Sequence, residues 1–414
     1  MQPAESLQSR YEETPYRDQA LPQFDLSRLL GLARLFQTPG PEVDPSELRV
    51  LDLCCASGRH LREQAAHYPQ ARFTGVDFSR AEIEDGQRQA SAAGLENLEL
   101  IACDLLDFEV APAGYDVVLC HGAFSWVPDE VKQRIFDVCR QGLAPRGVAA
   151  IAYLTYPGWK QREAFRELLA SRVSGVAEPA ERVRQSALLL RLLHEGYSAH
   201  EGDVHAASLK AVVESMQKAP SNAFLHDELG VEHDPCYFMQ FAEWAADSGL
   251  QYLAEADLGS MAIGGLSATA SPILQELAPD FLETQQLIDF VVNRSGRSSL
   301  LVRDDAPVAR GLALERFCEL DFTTEFRNTR PANAPDGTPD RFESLDGRTV
   351  RVDEAIEKQM VTRLSQAAPD PVHYSELVDG EDGASEALQR HLAALVSRGL
   401  VDARLPIPQS AGPL

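Results

Sequence analysis

Long apolar runs are missing from this chain. None approaches the ~18 residues that a membrane-spanning helix needs, so no membrane partner is expected. There is no C-x-x-C pair, and none of the ten histidines forms H-x-x-x-H or H-E-x-x-H. Neither a structural zinc site nor any other metal site is predicted. Basic charge is scarce. Lys and Arg number 38 against 63 Asp and Glu, a net charge of −25. Phosphate backbones are bound by clustered Lys and Arg, so nucleic acid is not an expected partner. The excess of acid suits a cationic partner such as a basic peptide, or serves solubility alone. The segment MQPAESLQSRYEE lacks the basic and apolar regions of a signal peptide. The seven cysteines are odd in number and scattered, as reduced thiols are. The expected location is the cytoplasm. Adjacent Cys54 and Cys55 read as small packing residues rather than ligands or nucleophiles.

What is present is concentrated in Arg49–Asp77. Val50, Leu51 and Leu53 form a buried strand, and Cys54 to Gly58 is a turn of small residues. Arg59 to Tyr68 has helical character, and Arg72–Val76 is a second strand ending at Asp77. The first turn of a doubly wound sheet must let backbone amides approach a cofactor, so it needs residues without bulk. An acidic residue about twenty positions on sits where a ribose hydroxyl pair is accepted. That is the pattern of a nucleotide-type site. Because the turn is not G-x-G-x-x-G, NAD is disfavoured.

The segments that follow repeat the alternation. Ser79–Glu82 is an S-x-x-E capping box opening a helix toward Gly94. Leu98–Ala102, Tyr115–Cys120 and Gly147–Leu154 read as strands, and Asp129–Leu143 as a helix with Val131, Ile135 and Val138 on one face. Strands alternating with helices argue a parallel sheet, with ligands at the carboxyl ends of the strands. Cys54–Gly58, Asp77, Asp104 and His121 fall at those ends.

Aligned as D-x-G-x-G-x-G, the first turn resembles motif I of the class I S-adenosylmethionine-dependent methyltransferases. Asp52 takes the acidic position, Cys54 and Ala56 stand where the first two glycines usually are, and Gly58 is the third. Further runs occur in order: HGAFSWVP (121–128), TYPGW (155–159), FLHDEL (224–229), CYFMQFAEWAADSGLQYLAEA (236–256) and LIDFVVNRSGRSSLLVR (287–303). Together they resemble bacterial methyltransferases that carry a methyltransferase regulatory domain, a group that includes rickettsial-type protein-lysine methyltransferases. The likeness covers roughly residues 11 to 303.

That resemblance implies S-adenosyl-L-methionine as cofactor and S-adenosyl-L-homocysteine as product. It implies cofactor contacts from Asp52, Cys54, Ala56, Gly58, Asp77, Phe78, Leu105 and His121, with Asp104 meeting the adenine amino group. It implies that the YEETPY segment, with Tyr11 and Tyr16, folds over the cofactor and contributes a hydroxyl, with Tyr11 a candidate contact to the substrate. His121 stands where a substrate-facing group is expected, to take a proton or hydrogen-bond the acceptor. Phe124, Trp126, Tyr156 and Trp159 are candidates to wall the acceptor pocket, and His226 to reach it from FLHDEL, where Asp227 reads as a helix cap. Catalytic roles fall to His121, Tyr16 and Trp126. Each of these side chains has a plainer reading as packing or backbone bonding.

The expected fold class is α/β, a doubly wound Rossmann-like sheet with additions. A core is expected from 1–160 and 231–305, closed by the helix Pro235–Ser248 and antiparallel strands at Gln251–Glu255 and Ser298–Arg303. Residues 161–230 read as a helical lid over the acceptor site, 306–341 as a linker, and 342–414 as a winged-helix-like unit for protein interaction or dimerisation. The expected activity is methyl transfer to a protein or peptide amine. The alternatives are a small-molecule methyl acceptor, or a non-catalytic protein that binds the cofactor.

Overall fold

The computed structural model describes residues 20–36, 47–200, 202–219, 221–230, 232–261, 269–278, 280–330, 340–344, 347, 349–352, 354–377 and 386–407. Tyr11 and Tyr16 lie outside them. Seven strands form one sheet: β1 (Arg49–Leu53), β2 (Arg72–Asp77), β3 (Leu98–Ala102), β4 (Tyr115–Cys120), β5 (Leu143–Leu154), β6 (Leu250–Glu255) and β7 (Gly296–Arg303). Their order is β3-β2-β1-β4-β5-β7-β6, and only β7 runs antiparallel to its neighbours. The order reverses between β1 and β4, the place where doubly wound sheets bind ligands. The expected α/β class and each expected core strand are present.

Helix α1 (Leu26–Phe36) precedes β1. Helices α2 (Arg59–His67), α3 (Arg80–Ala92) and α4 (Asp129–Gly142) connect the parallel strands. Ser79 Oγ accepts from Glu82 N, as the capping box requires. After β5 come four helices, α5 (Lys160–Val173), α6 (Pro179–Ser198), α7 (Val204–Gln217) and α8 (Ser221–Asp227). They enclose a small core of their own around Leu169, Leu190, Val213, Met216 and Phe224. Helix α9 (Phe238–Asp247) then leads into β6. Helices α10 (Ala270–Leu277) and α11 (Phe281–Val292) lie between β6 and β7. Among the described residues, no helix is long and apolar enough to cross a membrane.

The reading of 306–341 as a linker is corrected. Leu314–Glu319 is a 3-10 helix, and β8 (Asp321–Thr323) is the central strand of an antiparallel sheet with β12 (Val372–His373) and β13 (Asp402–Arg404). Further strands are β9 (Arg327–Asn328), β10 (Arg341–Glu343) and β11 (Thr349–Arg351), and the helices are α12 (Ala355–Ala367), α13 (Tyr374–Leu377) and α14 (Glu386–Ser397). Phe317 and Phe322 are fully buried, which accounts for an ordered path through a polar stretch. This unit is not separate from the sheet. The Leu405 amide donates to Ser27 O at 2.8 Å, and a side chain at Gly31 would meet Ala403 O at 2.6 Å. Helix α1 is thus wedged between the large sheet and β13, and one apolar core runs through all three.

Candidate cofactor and acceptor site

The turn after β1 is built by backbone conformation. Cys54, Ala56 and Gly58 have φ of 59°, 49° and 67°, all left-handed. The two positions where glycine was expected therefore keep glycine's conformation with other residues. Asp77, at the end of β2, accepts from Ala56 N at 2.9 Å through Oδ2 and from Ser79 N at 2.8 Å through Oδ1. It fixes the turn and the start of α3 together. Burial pushes the Cys54 thiol well up, and the nearby carboxylates of Asp77, Asp52 and Asp104 push it further, so it is no nucleophile at neutral pH. Phe78 is half-buried beside this turn, Asp104 is exposed and accepts from Leu106 N, and the Leu105 side chain is buried in the core.

Asp52 lies opposite Leu119 in the β1–β4 register, which brings His121 level with the turn. Asp52 is 0% exposed, and its Oδ2 lies 3.3 Å from His121 Nε2. The His121 ring stacks on Phe24 with centroids 5.8 Å apart, and His60 meets it edge-on at 5.4 Å. His60 carried no signal in the sequence beyond being the second residue of a helix.

Beyond His121 the HGAFSWVP run splits in function. Phe124 is 0% exposed and packs on Phe136, Tyr153 and Phe241. It is a core residue, which corrects its reading as a pocket wall. Ser125 was not singled out, yet its Oγ accepts from Leu154 N and its carbonyl from Asp234 N. It ties this loop to the end of β5 and to the exit of the helical insertion. Trp126 faces Trp159, His233 and the Arg166 guanidinium, with centroids 6.4 Å and 5.4 Å away for the two rings and 5.3 Å for the cation. Trp159 Nε1 donates to His233 Nε2. Burial pushes His233 down to about 3, and Arg166, Arg162 and Lys160 add to the effect, so it is a neutral acceptor at pH 7. Tyr156 donates to Glu163 and lies under Lys160 Nζ at 3.6 Å.

The helical insertion is pinned back by charge. Arg162 pairs with buried Glu228, and Arg166 Nη2 donates to Gly230 O at 3.0 Å. His226 is buried within α8, and Asp227, expected as a cap, is the last residue of that helix. Neither lines the cavity described next.

A cavity of about 490 Å³ opens at the carboxyl ends of β4, β5 and β6. Gln23, Gly122, Trp126, Leu154, Asp257 and Arg294 are among its walls. Its far side rests on a buried charge network missed in the sequence. Arg297 donates to Glu255 at 2.6 Å and to both oxygens of Asp289, and Arg294 donates to Asp289 at 2.6 Å. Glu255 also accepts from Tyr252, Ser298 N and Ser299. With its partners supplied from within, this network is a rigid wall rather than a free binding group. Among the described residues, no three His, Cys, Asp or Glu side chains are gathered as a metal would need.

Comparison with known proteins agrees with this layout. Residues 50–147 match the family description "Methyltransferase domain", and residues 220–303 match "Predicted methyltransferase regulatory domain". The Rickettsia prowazekii protein RP789 is 33% identical over 302 residues, 73% of this chain and 54% of that protein. This chain thus spans about half of that relative's length. RP028 from the same organism is 30% identical over 240 residues, 57% of this chain and 93% of that protein. The solved structure of PKMT2 from Rickettsia typhi in complex with AdoHcy superposes with a TM-score of 0.81 at 26% identity, covering 95% of this chain and 78% of that one. The chain belongs to the class I S-adenosylmethionine-dependent methyltransferases that carry a methyltransferase regulatory domain.

Proposed function

We propose that this protein transfers a methyl group from S-adenosylmethionine to an amine of a protein or peptide, lysine-like in character. The observation that carries this reading is the likeness to PKMT2 with AdoHcy over 95% of this chain. The residues present fit the cofactor. The turn Cys54–Gly58 keeps left-handed conformations at all three glycine positions, Asp77 closes β2 behind it, and a side chain at Gly122 would meet nothing within 4 Å. Bound there, S-adenosylmethionine supplies a methyl group already activated on a sulfonium.

The chain's own tasks are to bind, orient and exclude water, which is where most of the rate of such a displacement comes from. Asp77, on this reading, accepts the ribose hydroxyls while bracing the turn. The cavity beyond Gly122 takes the acceptor, and helices α5 to α8 act as its lid, with Trp126 and Trp159 at the seam. An ammonium has no lone pair, so the acceptor must lose a proton first. A free lysine titrates near ~10.4. His121 is the proton acceptor at the end of β4. On this reading the C-terminal unit serves as a winged-helix-like, protein-facing module.

The test is methyl transfer from radiolabelled S-adenosylmethionine to a cell lysate, read by gel and by mass spectrometry of the labelled species. A labelled protein amine supports the proposal. Label confined to small molecules replaces the acceptor class, and no S-adenosylhomocysteine binding by calorimetry removes the activity altogether.

A further inference from the structure

The cavity at the carboxyl ends of β4, β5 and β6 has an uneven charge. Its charged walls are Glu255, Asp257, Arg294 and Arg297. Three of these are spent on one another and on buried Asp289 of α11. Arg297 donates to Glu255 and Asp289, and Arg294 donates to Asp289 and to Ser260 O. Two guanidiniums thus balance two carboxylates, Glu255 and Asp289. Asp257 is the charge left over, and among the described residues it forms no ion pair.

Asp257 follows β6 and precedes a short 3-10 helix, Leu258–Met261. Its Oδ1 accepts from Gly259 N at 3.0 Å, so one oxygen is committed to the turn. Its Oδ2 has no hydrogen-bond partner among the described residues. The turn is pinned from behind by the end of α14. A Cβ on Gly259 would meet Arg398 O at 3.0 Å, and one on Gly399 would meet Asp257 Oδ1 at 3.2 Å. The Arg398 guanidinium itself pairs with Glu357. The C-terminal unit therefore fixes the place of this carboxylate without neutralising it. Asp257 is exposed, so it bears its charge without the cost of burial. A carboxylate placed so on a cavity wall is matched by a ligand that brings its own cation.

We propose that Asp257 is the specificity-determining residue of this cavity, and that its unpaired carboxylate selects an acceptor arriving as a primary ammonium. The inference rests on the reading of the cavity as the acceptor site of a methyltransferase. It names the charge that the site prefers and the residue that sets it. An amine acceptor is a cation when it arrives, since a free lysine titrates near ~10.4. Asp257 acts on that arriving form, so its effect falls on acceptor affinity rather than on the displacement at sulfur. A neutral acceptor gains nothing from it, and an anionic one is repelled.

The experiment titrates the full-length protein, with S-adenosylhomocysteine present, using two probes. One is Nα-acetyl-lysine amide, a primary ammonium, and the other is its Nε-acetylated, neutral form. The readout is the indole N–H signal of Trp126, a wall of the cavity and one of three tryptophans, in 15N-labelled protein. Wild type is expected to bind the ammonium more tightly than the neutral probe by about fivefold to tenfold. Asp257→Asn keeps an acceptor for Gly259 N and should abolish that preference. Glu276→Gln removes an exposed acid outside the cavity and should leave it intact. A wild type with no preference, or with no binding of the ammonium probe, overturns the proposal without any variant having to fold. Equal weakening in Asp257→Asn and Glu276→Gln also overturns it, since the effect is then bulk charge. Labelled protein amines in the lysate together with no preference would remove Asp257 and leave the methyltransferase reading standing. An Asp257-dependent preference in a protein that does not bind S-adenosylhomocysteine would remove that reading and keep the ammonium site.

Discussion

Arg404 Nη1 donates to Asp25 Oδ1 at 2.9 Å, joining residues 379 positions apart in the chain. Asp25 also accepts from Ser27 Oγ, Arg28 N and Tyr68 OH. One buried carboxylate therefore links the start of α1, the end of α2 and β13. The neighbouring Phe24 packs on His121, so the C-terminal unit braces the floor of the site through this contact.

Burial pushes the Asp25 carboxyl up, but Arg404 and the three donors outweigh it, and it titrates below the usual carboxylate range. A depressed folded value means a contribution that is present above the unfolded value near ~3.9 and lost as pH falls through the folded one. Arg404→Met leaves burial without its cation. It should destabilise the protein by about 1–3 kcal/mol at pH 7 and bring on acid unfolding at a higher pH. Urea titrations at a series of pH values measure both. An unchanged midpoint at pH 7 would mean that Asp25 is satisfied without Arg404.

Cys54 and Ala56 hold left-handed φ without being glycine. That conformation costs an ordinary residue about 1–2 kcal/mol, and glycine gives back part of the gain as chain entropy. Ala56→Gly should therefore stabilise the protein by about 0.5–1 kcal/mol and bind S-adenosylhomocysteine at least as tightly. A looser complex would show that the methyl group of Ala56 touches the cofactor.

Much of the sheet was legible because its signals are local. The turn at 54–58, the capping box at Ser79 and the strand alternation each lie within one segment. Phe124 was misread because a core aromatic and a pocket aromatic look alike in sequence, and contacts with Phe136, Tyr153 and Phe241 decide between them. The linker reading of 306–341 failed for a related reason. β8 is three residues long, with no period to detect, and it exists because Phe322 faces Val372 and Ala403 across the ladder. The Glu255–Arg297–Asp289 network joins α11, β6 and β7, and His60 meets His121 across 61 residues; pairings of that range leave no mark on local pattern. The family resemblance named the run Leu287–Arg303 without saying what its charges do.

Asp77 serves the turn in this structure and the ribose in the proposed complex. Asp77→Ala removes the acceptor for both Ala56 N and Ser79 N. Loss of charge-assisted bonds to the cofactor should weaken S-adenosylhomocysteine binding by about 1–3 kcal/mol, roughly 5- to 150-fold. Calorimetry gives the affinity, and a urea titration of the same variant shows how much of the loss is the turn itself. Unaltered affinity would take Asp77 out of the site.

His233 offers a handle on the proposed lid. It accepts from Trp159 Nε1 and faces Trp126, so two of the three tryptophans report on it. Its folded value, pushed down to about 3, lies below the ~6.5 of an exposed histidine. The sign follows: above about pH 6.5 the closed arrangement has its full stability, and it loses stability as pH falls from there toward about 3, because the open form takes up a proton that the closed form refuses. A protonated His233 would also face Arg166, Arg162 and Lys160 and could no longer accept from Trp159. Between pH 6.5 and 5, tryptophan fluorescence should shift and hydrogen exchange in residues 160–230 should quicken, while the core strands stay protected. His233→Asn keeps an acceptor for Trp159 and does not titrate, so it should flatten both changes. Equal pH dependence in wild type and variant would place the switch elsewhere and leave the Trp126–Trp159–His233 seam as packing alone.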